Sequence, residues 1–79
     1  MASLFVDNVE YRLLFGSDVM NDGTFLELQD PRLSGHQAIL VAWRSDASGK
    51  IVITALREQL PLAVITRFLE AVRAEWPAA

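Results

Sequence analysis

The hydrophobic positions along the chain follow two rhythms. Between Leu4 and Phe15, the apolar residues Val9, Tyr11, Leu13 and Phe15 are spaced two apart, with Glu10, Arg12 and Leu14 between them. A period of two gathers such a set on one side of an extended strand. The stretch therefore reads as one strand with one buried face. Residues 24–29, TFLELQ, repeat the rhythm, with Leu26 and Leu28 on one side and Phe25, Glu27 and Gln29 on the other. Asp30-Pro31 closes this strand, because proline has no N–H for a ladder and restricts the residue before it. Residues 38–43, AILVAW, are apolar throughout, the pattern of a central strand covered on both sides. Residues 50–57 give a fourth strand, with Ile51, Ile53 and Ala55 opposite in direction to Val52, Thr54 and Leu56.

After Pro61 the rhythm changes to that of a helix. Stepping about 100° per residue brings Leu62, Val64, Ile65, Phe68, Leu69, Ala71, Val72 and Trp76 onto one half of the wheel, with Ala63, Thr66, Arg67, Glu70, Arg73 and Ala74 on the other. Proline suits the first turn of a helix, and Pro77 ends this one. The helix spans about fifteen residues and about 22 Å. Four consecutive strands with short connections, then one helix, predict an α+β fold in a single domain over residues 1–79: a four-stranded antiparallel meander with one C-terminal amphipathic α-helix packed on one face.

This arrangement leaves a surplus. A helix about 10 Å across cannot cover both faces of four strands spaced about 4.8 Å apart. The composition sharpens the point, since 52% of the 79 residues are apolar and only 22% charged, while so short a chain has little interior. With no cysteine, disulfides are unavailable as reinforcement and association with another chain takes their place. The sequence thus predicts a homodimer that buries the open face, with Ile39, Val41 and Trp43 on it and the smaller Ala38, Leu40 and Ala42 beneath the helix. Trp76 reads first as a cap closing the helix against the sheet and second as an anchor for a partner.

Charge narrows the partners. Ten carboxylates stand against six Arg and one Lys, giving a formal charge of −3 with both signs interspersed. There is no basic run, so nucleic acid is not an expected partner. No stretch approaches the 18 or more apolar residues of a membrane span. The N-terminal residues carry Asp7 and Glu10 and lack the basic start of a secretory signal, and a cytoplasmic location is expected.

The candidate chemistry is sparse. SDVMNDG, residues 17–23, resembles a calcium loop until it is aligned: with Gly23 at position 6, Asp18 and Asp22 fit positions 1 and 5, but Met20 and Gln29 fall where ligands are required. A hairpin turn is the better reading. Gly49-Lys50 lacks the earlier glycine and the following Ser or Thr of a phosphate loop, so Ser45 to Gly49 is read as a turn with Gly49 at positive φ. His36 is the only histidine, and neither it nor Ser34 sits in a nucleophile motif. A chain this small is also not expected to enclose a substrate cleft of several hundred Å³. The expectation is a small non-catalytic protein-interaction domain with no cofactor and no metal. Two other readings stay open: an acidic inhibitor holding a basic partner through Asp18, Asp22, Glu27 and Asp30, and an enzyme or ligand binder with its site between subunits.

Overall fold

The computed structural model describes residues 2–33, 35 and 37–78. It contains five strands and one helix: β1 (Ala2–Val6), β2 (Val9–Asp18), β3 (Gly23–Gln29), β4 (Ala38–Ser45), β5 (Ile51–Ala55) and α1 (Leu62–Glu75). The strands lie side by side in chain order, each antiparallel to the last. The fold is the expected α+β meander with a terminal helix, but it has one strand more. The stretch read as a single strand from Leu4 to Phe15 folds back at Asp7-Asn8, both of which take positive φ, 49° and 65°. Two consecutive residues at positive φ are what a tight hairpin turn demands, and Asp and Asn tolerate that region best after Gly. The inward positions change parity across the turn, from Leu4 and Val6 to Val9 and Tyr11, and a reading that counts the period only from Val9 onward passes over that shift.

Cross-strand partners share a face, so the register shows how the core is built. Leu13, Leu28 and Leu40 form one row, and Phe15, Leu26, Ala42 and Ile53 the next. The helix lies on this side, with Val64, Phe68 and Val72 buried against the sheet and Ile65, Ala71 and Trp76 half-buried beside them. These residues recur at i, i+4 and i+8, a narrower stripe than the half-wheel drawn from the sequence. Leu62, counted on that half, is 77% exposed.

The helix is not centred on the sheet. It approaches β1 more closely than any other strand, and β5 is left with four of its five residues exposed. Among the described residues no helix is long and apolar enough to cross a membrane.

The turns follow local chemistry. Between β2 and β3 a single 3-10 turn, Val19–Asn21, is held by Asp18, whose carboxylate accepts from the backbone N–H of Asn21 at 3.3 Å and from its side-chain amide at 2.9 Å. Asp22 then takes the left-handed conformation, φ 49°. Between β4 and β5 the Ser45 hydroxyl accepts from the N–H of Ser48 at 3.2 Å, and Gly49 takes φ 75°, as expected.

Candidate functional site: the uncovered face of the sheet

The face away from the helix carries Phe5 on β1, Leu14 and Gly16 on β2, Phe25 and Glu27 on β3, Val41 and Trp43 on β4, and Val52 and Thr54 on β5. Two lateral rows run across it. One joins Gly16, Phe25, Trp43 and Val52, and the other joins Leu14, Glu27, Val41 and Thr54. The first row is aromatic and aliphatic after Gly16, and the second holds one carboxylate, Glu27, which accepts from the amide of Gln29 at 2.8 Å.

The two glycines on this face explain its shape. A Cβ on Gly16 would stand 2.5 Å from Cζ of Phe25, and one on Gly23 would collide with the indole of Trp43. Both rings therefore lie down across backbone that has no side chain to prop them up. An aromatic ring folded over a neighbouring glycine restores the contact that glycine lacks in a strand, and the result is a level surface. Trp43 and Phe25 are only half-buried in this position, and Val52 at 45% exposed extends the apolar area to the β5 margin, while Phe5, 64% exposed, stands apart beyond the polar row of Ser3, Arg12 and Gln29. The indole Nε1 of Trp43 is buried with no hydrogen-bond partner among the described residues. An unpaired buried donor costs about 1–3 kcal/mol, so the ring is held flat against the preference of its one polar atom.

The residues expected on this face divide. Val41 and Trp43 are there, with Leu40 and Ala42 beneath the helix as anticipated. Ile39 is not: it is 1% exposed and belongs to the core. The register between β3 and β4 shifts after Leu28, which faces Leu40, while Gln29 faces Ala38. Ile39 is the extra residue of this bulge, and a bulge breaks the period of two on which the assignment from Val41 rested. Trp76 is also elsewhere. It caps α1, its N–H bonded to the Val72 carbonyl at 2.9 Å, and its ring packs at 6.3 Å from Phe15, on the helix side. It closes the helix against the sheet and is not part of the uncovered face.

A second feature was not legible in the sequence. Asp30, 1% exposed, accepts from the backbone N–H and Nε of Arg32, both at 3.0 Å, from its Nη2 at 2.8 Å, and from Nη1 of Arg57 at 3.1 Å. Arg32 Nη2 also reaches the hydroxyl of Tyr11 at 3.2 Å, and its guanidinium lies 5.7 Å from the centre of that ring. The side-chain hydrogen bond from Arg32 is the main reason that the Asp30 carboxyl falls from 3.8 to about 2; burial opposes the shift, and the Arg32 backbone, its charge and Arg57 add to it. A carboxylate so enclosed cannot be offered to a basic partner. Of the acidic set Asp18, Asp22, Glu27 and Asp30, Asp30 is thus internally neutralised, Asp18 and Glu27 hold Asn21 and Gln29, and these two share the uncovered side, Asp18 at the end of β2 and Glu27 in the middle of β3. His36 and Ser34 lie outside the described residues.

On the other side, an open groove of about 730 Å³ runs between the C-terminal half of α1 and β1–β2, lined by Leu4, Leu13, Phe15, Leu26, Ala71 and Glu75 among others. A hollow of that size was not expected in so small a chain. It is open and mostly apolar, and among the described residues no group of three or more His, Cys, Asp or Glu side chains is placed to hold a metal ion. No family model, curated protein or solved structure matches this chain.

Proposed function

We propose that this protein is a non-catalytic interaction domain that works as a homodimer, with the uncovered face of the sheet as the contact between copies. One observation supports the reading above others: the row Phe25, Trp43, Val52, flanked by Val41 and Leu14, forms a level apolar surface on the side of the sheet that α1 does not cover. Contiguous apolar patches of more than a few hundred Å² are uncommon on monomers. A flat pleated face is also the shape that packs against another sheet about 10 Å away. A two-fold axis places the same residues on both sides of the contact, the commonest arrangement in soluble oligomers.

Sedimentation tests this. At tens of micromolar the wild type is expected well above its 8.8 kDa chain mass. Val41→Glu, which sets an unpaired charge in a dry contact, lowers that mass while leaving the far-ultraviolet circular dichroism unchanged. A wild-type protein that sediments at the chain mass would remove the proposal.

A further inference from the structure

We propose a second and separate contact, in which β5 of one copy pairs antiparallel with β5 of another to join two sheets edge to edge. The backbone comes first. The Ser45 N–H bonds to the Lys50 carbonyl and the Leu56 N–H to the Ile39 carbonyl, both at 2.9 Å, and both pairs keep the register that sets Val41 against Thr54. In an antiparallel ladder, hydrogen-bonded and non-bonded pairs alternate. The even-numbered residues of β5 therefore bond to β4, and Ile51, Ile53 and Ala55 direct their N–H and carbonyl groups outward along the free edge.

Natural sheets usually protect such an edge with proline, an inward charge, a bulge or a covering element. β5, IVITA, has no proline and no charge, and α1 is displaced toward the opposite edge. The β1 edge differs because the helix runs beside it. β5 is also apolar on both faces at once. Val52 and Leu56 stand 45% and 57% exposed on one face, and Ile53 stands 42% exposed on the other beside Leu69 of the helix at 41%. A shallow hollow lined by Ile51, Ile53, Leu69, Val72 and Arg73 borders the strand on the helix side. An added strand about 4.8 Å away would cover side chains on both faces.

The occupant is a second copy because the strand is complementary to itself. With Thr54 on a two-fold axis, Val52 of each copy faces Leu56 of the other and Ile53 faces Ala55. Ile53 and Ala55 then exchange the outward N–H and carbonyl groups, as the alternation requires. The axis stands perpendicular to the sheet, which keeps both helices on one side and brings the two copies' Ile53 and Leu69 toward each other.

Four proteins compared by sedimentation across the micromolar range decide this: wild type, Ile53→Lys, Val41→Glu and the double variant. Edge and face contacts together give an assembly larger than a dimer for the wild type, a dimer for each single variant and a monomer for the double. Ile53 is half exposed, so a lysine there is compatible with folding. Should it disturb the circular dichroism, Ala55→Pro replaces it, since the N–H it removes is directed outward. Ile53→Lys sedimenting as wild type would overturn the edge contact. Val41→Glu sedimenting as wild type while Ile53→Lys dissociates would leave the edge standing and remove the face.

Discussion

Arg57 reaches back across 27 residues to place Nη1 at 3.1 Å from Oδ2 of Asp30. The bond joins the segment that leads from β5 toward α1 to the loop between β3 and β4, where Asp30 also holds Arg32. The helix therefore starts from a chain already fixed at that end of the sheet.

Acid exposes what this cluster contributes. The folded carboxyl titrates at about 2 against an ordinary value of 3.8, so its contribution is fully present above pH 4 and is lost as the pH falls toward 2. A shift of that size corresponds to about 2 kcal/mol. Urea unfolding of wild type and Asp30→Asn between pH 6 and pH 2 is expected to show the wild type losing its advantage in that window while the variant changes less. Parallel curves would mean that the carboxylate contributes nothing as a charge.

The helix offers a contrast between two residues on the same half of the wheel. Phe68 is wholly enclosed and Leu62 is exposed. Phe68→Ala is expected to cost about 3–5 kcal/mol, as large truncations in a core do, and Leu62→Ala less than about 0.5 kcal/mol. Chemical denaturation of both variants measures the difference, and similar losses would mean that α1 is rotated from the orientation described.

Gly23→Ala tests the flattened indole. The added methyl group occupies the space of the Trp43 ring, and overpacking of this kind costs about 1–3 kcal/mol. The ring must lift, so tryptophan emission is expected to move to longer wavelength. An unchanged spectrum would place the ring elsewhere.

Calcium tests the loop between β2 and β3. Both Asp18 oxygens already accept from Asn21, and millimolar Ca²⁺ is expected to leave the melting temperature unchanged. A rise of several degrees would show a site there.

Much of this fold is written locally. Leu26 and Leu28 oppose Phe25 and Glu27 as their spacing demands, and the helix begins beyond Pro61 and stops before Pro77 as read. The reading failed where the chain departs from its own period. Asp7-Asn8 turns the chain and shifts the inward parity from Val6 to Val9, and Ile39 is displaced by a bulge that only the pairing of β3 with β4 reveals. The uncovered face was legible as a parity at Val41 and Trp43. Its flatness was not, because it depends on which glycine each ring meets across the sheet. The enclosure of Asp30 depends on a partner 27 positions away, which no local pattern announces.

The side-by-side order of the strands also bears on how the chain is made. Every strand pairs with the one synthesised just before it, so each hairpin can close over a short loop as it emerges, and contacts this local favour rapid folding. The helix is the exception. It follows all five strands in the chain, yet it packs nearest the first. Until Phe68 arrives, Leu13, Leu28 and Leu40 face solvent on a sheet that is already paired. A chain cut short before residue 62 would keep those side chains exposed, a condition that favours aggregation.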